Sequence, residues 1–571
     1  LAPRTADQSL SSVTVIDEAA LRRQDPASVT DVLRGQPGVD VTTSGSFGKQ
    51  SSVFLRGAGS NANVLLIDGI RLRSATTGAA AWTFLDPRIF ESAEIVRGPR
   101  GSLYGADAVG GVIQLFTPEE GEGDPTPSIS AGGGSFEPQR YSASLSGAEG
   151  GTRYHVAASR FETEGGPVRR GGDDKGYDNT TGLVRLSHTF DSGAEVGMLA
   201  LRAKGNTEFD AGSAPGDTDY VQQVAGVYGE LPISTAWRSR LTLSEARDES
   251  DTYVYNSVID TKTNTVRWDN TFYSGAHELI LGAEYVEDSI AGSKTSAFLP
   301  PSFEETTEKY DEESRYNAAV FAQGLLDFSP FSLQASLRHD DNEAYGEELT
   351  GSLALGYELD GRHILRASYG TAFRAPTFND LYYPGSGNPD LEAETSETFE
   401  LGIRGQHDRW FWDAAIYQTD IDNLISGQTL RENIPTSRIR GAELSSGFDI
   451  EGWVLSTALT YTDPKDRSTG ERLRSRAKKS LRFDIDRSIS DFNVGASWLA
   501  QSDRIVGFNR ERVSGYGIVD LRAGWDFAPM WSARLNVDNF LDKEYATAKF
   551  FDGDDYINAG RAAFVSVHFG P

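Results

Sequence analysis

The sequence predicts a mostly β protein in two unequal parts, a small α+β domain followed by a very long antiparallel barrel. Three observations lead there. From about residue 127 onward apolar and polar residues alternate with a period of two, and almost no helical stripe interrupts them. No run of about 18 apolar residues exists, which excludes a helical membrane bundle but not a barrel, whose strands need only about ten residues each. The 571 residues also include 60 Gly, 29 Phe, 22 Tyr and 9 Trp, the turn formers and interfacial aromatics that a membrane barrel uses.

Residues 12–16 read as a short strand. Asp17 stands where an N-cap would open a helix through Gln24, and Ser28 with Asp31 makes a capping-box pattern for a helix ending at Gly35-Gln36-Pro37-Gly38. Compact β runs follow at 39–42, 52–56, 63–68 and 91–96, and 111–116 closes the set. Together they form a domain over residues 1–122, of ordinary domain size. Beyond it, Tyr154, Val156 and Ala158 alternate with Arg153, His155 and Ser159. Leu279, Leu281, Ala283 and Tyr285 alternate with Glu278 and Glu284, and Ala563, Val565, Val567 and Phe569 with Phe564, Ser566 and His568. About 450 residues of this pattern is too long for one sandwich, and a propeller would repeat a motif of about 40–50 residues, which is not found. Divided among 22 strands, the number at which barrels hold a plugged lumen, residues 123–571 leave about 20 residues per strand and connection.

Composition removes several function classes. With 83 acidic against 54 basic residues and a net charge of −29, nucleic acid is not an expected partner. There is no cysteine, hence no disulfide, thiolate metal site or cysteine nucleophile, which suits an oxidising exterior compartment. The stretch 94–118, EIVRGPRGSLYGADAVGGVIQLFTP, looks at first like a phosphate cradle, but neither G-x-G-x-x-G nor G-x-x-x-x-G-K-[ST] is present, nor a G-x-S-x-G elbow. Paired acids such as Asp340-Asp341 and Asp554-Asp555 read as loop solvation rather than acid–base pairs, and the seven histidines and two methionines do not cluster at ligand spacing. One basic cluster, Arg472, Arg474, Arg476, Lys478 and Lys479, either meets anionic lipid headgroups at a membrane rim or balances neighbouring acids. The chain starts at Leu1 without Met or a signal peptide, as a processed or trimmed product would.

A series of short motifs carries a family resemblance. In order they are Asp31-Val32-Leu33 with Pro37-Gly38-Val39, Phe54-Leu55-Arg56-Gly57, VLLIDG at 64–69, and RGP, LYG and GG within 94–111. Phe373-Arg374-Ala375-Pro376, NPDLEAE at 388–394, Arg440-Gly441-Ala442-Glu443 and VDNFLDKEY at 537–545 follow. The sequence resembles the TonB-dependent outer-membrane receptors over essentially its whole length, and within them looks most like the cobalamin (vitamin B12 class) receptor, by its short barrel and the lengths of loops 43–50 and 73–84. The resemblance implies a plug domain (1–122) filling a 22-stranded antiparallel transmembrane β-barrel (123–571) in the outer membrane of a Gram-negative bacterium. It implies an active transporter, not an enzyme, with no catalytic residues and no catalytic cofactor.

It also implies roles for particular residues. Arg56 and Arg97, with Arg100 as a further candidate, would latch the plug to Glu400 and Glu443 of the barrel through charge-assisted pairs. Gln50, Ser52, Gly59, Thr77 and Gly78, at plug apices, would touch a corrinoid such as cobalamin, with Tyr382 and Tyr383 available to pack on it. The acidic loops 172–179 and 209–220 resemble two that hold calcium ions, which implies Asp173, Asp174, Asp178, Asp210 and Asp217 as ligands, with Phe209 where the family pattern has Tyr. A solvated acidic loop is the plain alternative. The implied partners are the TonB energy-transducing complex, outer-membrane lipid or lipopolysaccharide, and a surface lipoprotein capping the barrel. An iron-siderophore receptor and a passive porin are the competing readings. The family's short coupling peptide is not seen ahead of the plug, and Gly570-Pro571 reads as an extension past the aromatic on which barrel chains usually finish.

Overall fold

A computed structural model describes residues 10–118, 123–212, 214–298, 305–426, 431–507, 509–550 and 553–570. The N-terminal part holds strands β1 (Val13–Ile16), β2 (Val39–Thr43), β3 (Ser51–Leu55), β4 (Asn63–Ile67), β5 (Ile70–Arg71), β6 (Ser92–Arg97) and β7 (Gly111–Phe116). Its helices are α1 (Glu18–Gln24), α2 (Val29–Leu33) and α3 (Gly101–Tyr104). Both sequence-predicted caps form: Asp17 accepts from the Ala20 amide (2.8 Å), and Ser28 exchanges hydrogen bonds with Asp31. Strands β1-β6-β7-β4-β5 make one sheet, in which β4 and β7 run parallel, while β2 and β3 form a separate hairpin. The sequence did not mark β5 or α3, which are too short to show a period.

The remaining strands close into a barrel. Its wall has 22 antiparallel strands, from Thr126–Gly134 to Ala562–Phe569, which pair with each other to shut the ring. A hairpin, Lys294–Phe298 with Glu305–Lys309, extends the sheet above the wall. Beneath it His277–Ser289 and Ser314–Phe328 pair directly. Two-residue turns at 150–151, 235–236, 275–276, 329–330, 361–362, 451–452, 490–491 and 529–530 lie on one rim, and long connections such as 375–393 and 539–561 on the other. The period-two reading sorts side chains as expected. Leu279, Leu281 and Tyr285 are exposed outward, while Glu284 points inward to Arg267 (3.0 Å) and Arg338 (2.7 Å).

The α+β part sits inside the ring. Its core, with Leu33, Val41, Val53, Leu55, Ile67, Trp82, Ile95 and Ile113 buried, continues into wall residues Leu183, Leu201 and Val224. The last inner strand ends at Phe116 and the first wall strand starts at Thr126. The expected boundary at 122/123 falls beside residues 119–122, outside the described residues.

Candidate functional site

The inner domain is tied to the wall by a buried ion network. Arg56 ends the β2–β3 hairpin with φ +50°, a left-handed conformation that its amide secures by donating to the Gly38 carbonyl (2.7 Å). This turn projects the guanidinium at two wall strands, Glu394–Gln406 and Glu432–Ile450. Nε and Nη2 donate to the two carboxylate oxygens of Glu443 (2.9 and 3.0 Å), and Nη1 donates to Glu400 Oε2 (2.6 Å). The Tyr417 ring lies 4.3 Å from the same guanidinium. All three charged groups are buried. Glu400 also accepts from Ser12 Oγ (2.6 Å), which in turn accepts from Arg366, itself paired with Asp413 (2.5 Å).

Arg97 is a second, looser member. Its Nε is 3.1 Å from Glu443 Oε2 but lacks the alignment of a hydrogen bond, and its Nη1 donates instead to Thr14 Oγ1 (2.5 Å) and the Pro37 carbonyl (3.2 Å). Arg100 stands apart. Among the described residues its guanidinium makes no ion pair with Glu400 or Glu443 and donates only to the Pro99 carbonyl (3.4 Å). Burial lowers its guanidinium pKa from the ordinary value, with the Glu400 charge opposing that shift.

The inner loops rise toward the long-loop rim. Gln50 and Thr77 are exposed there, and Ser52 and Gly59 are half-buried. Gly78 is buried with φ +74°, and a Cβ on it would lie 2.9 Å from the Thr377 Cγ2 methyl, so it makes room for a wall-loop side chain rather than offering a surface. The Thr76 carbonyl accepts from the Asn379 amide (3.0 Å) and the Gly57 carbonyl from Arg476 Nε (3.0 Å), so the apices are bound to wall loops. A cavity of about 170 Å³ beside them is lined by Ser46, Phe47, Lys49, Tyr177, Asp538 and Tyr545, among others. Gln50 and Ser52 do not line it. Tyr383 is already engaged: its hydroxyl bonds Thr295 (2.8 Å) and donates to the Ser296 carbonyl (3.1 Å), and Tyr382 packs on Phe378.

Sequence reasoning missed three ties. Lys49, buried at 3% exposure, donates from Nζ to the carbonyls of Phe47 (2.9 Å) and Gly176 (3.0 Å) and to Thr207 Oγ1 (3.4 Å). Burial brings its ammonium pKa down to about 7, with Glu208 opposing the shift and Lys175 adding to it. Asp40 of β2 accepts from Arg504 (3.0 Å) and from the Ala477 amide (2.7 Å). Arg374, in the FRAP motif, pairs with Glu394 (2.7 Å) and Asp380 (3.2 Å), so two motifs quoted separately meet at the base of loop 375–393. No local pattern marks Lys49 or Asp40; for Arg374 and Glu394 the opposite charges in adjacent motifs were the available sign.

The five loop aspartates do not converge. Asp178 pairs with Arg160 (2.9 Å), Asp210 lies 3.6 Å from Arg169, and Asp217 accepts from Asn206 (3.4 Å), while Asp173 and Asp174 are exposed. Among the described residues no group of three or more His, Asp or Glu side chains could hold a metal ion. This arrangement, with arginines against two of the carboxylates, does not fit a cation that requires six to eight oxygens.

Residues 124–540 match the family model described as TonB dependent receptor-like, beta-barrel, and residues 5–112 match the TonB-dependent receptor plug domain. The chain belongs to the TonB-dependent receptor family. The receptor is 27% identical to the vitamin B12 transporter BtuB of Photobacterium profundum, over 95% of this chain and 90% of that protein. Against BtuB of Vibrio vulnificus the identity is 28%, over 98% and 92%. Its fold is similar to the solved siderophore receptors PiuA (TM-score 0.82, 17% identity, 99% and 97% covered) and PirA (0.82, 19%, 99% and 99%) of Acinetobacter baumannii. The inner domain is thus the plug, the protein is a transport receptor of the Gram-negative outer membrane and not an enzyme, and its long-loop rim faces outside. Membership implies a transported ligand and TonB as partner.

Proposed function

We propose that the receptor imports cobalamin or a related corrinoid. The observation that carries this is the pair of vitamin B12 transporters aligned over 95% and 98% of the chain. The siderophore receptors share the fold at 17% and 19% identity, which says nothing of cargo. A corrinoid presents many amide groups, and the exposed polar apices at Gln50 and Thr77 suit it. Binding outside and a pull by TonB on the plug from inside then release the cargo, with the Arg56–Glu400–Glu443 cluster as the latch to be loosened. Loop calcium, as the sequence resemblance has it, must displace Arg160 and Arg169 before it can help.

Titration of the purified receptor with cyanocobalamin and with ferric enterobactin tests the proposal. Saturable corrinoid binding without retention of the ferric chelate supports it; the reverse establishes a siderophore receptor. The same titration repeated in EDTA decides calcium: unchanged corrinoid affinity removes it from the account, and a tenfold loss restores it. A large open conductance of the intact receptor in planar bilayers would favour a passive porin instead.

A further inference from the structure

A second ion junction, sharing no residue with the Arg56 latch, centres on Asp288 of the wall. Strand pairing sets Thr263, Asp288 and Arg315 side by side on three neighbouring strands, and all three are buried toward the plug. Asp288 accepts from Thr263 Oγ1 (2.7 Å) and Arg315 Nε (3.5 Å), and from Nη2 of Arg73 (2.6 Å), which opens plug loop 73–84. A plug carboxylate, Asp107, flanks the same arginine. It lies 3.7 Å from Arg73 Nη1 and pairs with Arg71 (2.5 Å).

The two carboxylates hold one stretch of the wall, residues 373–376, from two sides. The Asp107 amide donates to the Phe373 carbonyl (2.8 Å), and Asp107 Oδ1 accepts from the Ala375 amide (3.2 Å). From the Asp288 side, Arg315 Nη1 donates to the Pro376 carbonyl (2.6 Å). The same guanidinium lies 4.9 Å from the ring of Phe378, the first residue of helix α4 (Phe378–Tyr382). The loop then returns to the plug: the Asn379 amide donates to the Thr76 carbonyl (3.0 Å), and Phe378 shares a buried cluster with Ala75. The contacts close a ring that runs from Asp288 through Arg73, plug loop 73–79, Asn379, Pro376 and Arg315 back to Asp288. Two surfaces that the family resemblance sets against cargo ride on this ring, Thr77 on the plug and Tyr382 on the wall. Asp288 itself is 4% exposed and does not face the cargo.

We propose, resting on the corrinoid reading for the ligand alone, that Asp288 is a positioning residue for cargo capture. As the shared partner of Arg73 and Arg315, it sets plug loop 73–79 and wall loop 375–393 against one another before cargo arrives. Without that carboxylate two buried guanidiniums are left facing each other, and buried charges are strongly unfavourable unless paired. Arg73 keeps Asp107, but Arg315 keeps no carboxylate among the described residues. Arg315 then moves away, and Pro376 and α4 move with it. A site assembled only part of the time binds with its apparent affinity, and its association rate, reduced by that fraction. Dissociation from the assembled site is unchanged.

Cyanocobalamin association and dissociation, followed by surface plasmon resonance on the detergent-solubilised receptor, test this. In Asp288→Asn the association rate should fall at least tenfold while dissociation stays within threefold of wild type. Arg73→Gln should do the same, and Arg73→Lys, which keeps a cation for Asp288, should stay within threefold in both. Glu195→Gln removes a wall carboxylate from Arg153 (3.1 Å) and Tyr228 (2.6 Å) near the short-turn rim and should change neither rate. An association rate within threefold of wild type in Asp288→Asn, a loss carried by faster dissociation alone, or an Arg73→Lys receptor as slow as Arg73→Gln would each overturn the proposal. Hydrogen exchange without cargo gives an independent reading. The Ser74 and Gly78 amides, bonded to the Ala79 and Ser74 carbonyls, should exchange at least tenfold faster in Asp288→Asn, and together with them the Asn379 and Leu381 amides, bonded to the Thr76 and Thr377 carbonyls. A receptor that binds no corrinoid would refute the cargo and leave exchange to decide: a response in one loop alone, or in neither, overturns Asp288 as the joint. Heat-modifiable mobility of each variant checks that the barrel is intact.

Discussion

Replacing Arg56 with Ala should loosen the plug more than any other single change in the latch. The guanidinium makes three hydrogen bonds of 2.6 to 3.0 Å to two buried carboxylates and lies over Tyr417. Removing one partner of a buried ion pair typically costs about 3–5 kcal/mol, because the remaining charge is left without compensation. Here Glu400 keeps Ser12 and Arg366, and Glu443 keeps Arg97, so the lower end, about 3 kcal/mol, applies. At about 1.4 kcal/mol per decade this is roughly a hundredfold rise in the population with the plug displaced. Hydrogen exchange of the plug amides in β2, β3 and β6 measures that population, and ion leak across planar bilayers gives an independent reading. Arg97→Ala should raise exchange by tenfold or less, since its contact with Glu443 is not an aligned hydrogen bond, and Arg100→Ala should leave it near wild type. Arg56→Lys restores the charge without the two-pronged geometry and should fall between. If Arg56→Ala exchanges within threefold of wild type, or Arg97→Ala exceeds it, the assignment of Arg56 as the centre of the latch is wrong.

Two further outcomes follow from the loop at residues 43–50. Gly48 has φ +73°, and a Cβ there would come within 1.9 Å of the Tyr177 ring; Gly48→Ala should cost about 2 kcal/mol or more from strain and overlap together, seen as a lower thermal midpoint and at least tenfold weaker corrinoid binding, and normal values for both would refute it. Lys49 holds fewer protons folded than unfolded between about pH 7 and 10.5, so its contribution to stability rises with pH across that window, by up to about 1.4 kcal/mol per pH unit. Protection of the hairpin, corrected for intrinsic exchange, should therefore increase from pH 7 to 9 in the wild type and stay flat in Lys49→Met; parallel profiles in the two proteins would rule it out.

The receptor's sequence by itself determined the architecture. A side-chain period of two, sustained for about 450 residues, leaves little but a barrel, and caps at Asp17 and Ser28 depend only on neighbours within three residues. Its resemblance to the family implied Arg56, Arg97 and Arg100 against Glu400 and Glu443, of which Arg56 makes the aligned hydrogen bonds to both carboxylates. Only the tertiary structure decided who meets whom. Alternation tells which face a residue is on, but not which plug group lies opposite. That depends on strand stagger and on how the plug seats, and Arg56 and Glu443 are 387 residues apart. The same long-range placement leaves Arg100 outside the cluster, gives Lys49 its three acceptors and engages Tyr383 with the 294–309 hairpin. It also sets Arg160 and Arg169 against carboxylates that the loop sequence alone offered to calcium. Composition counts acids in a loop; only packing shows which of them already face a cation.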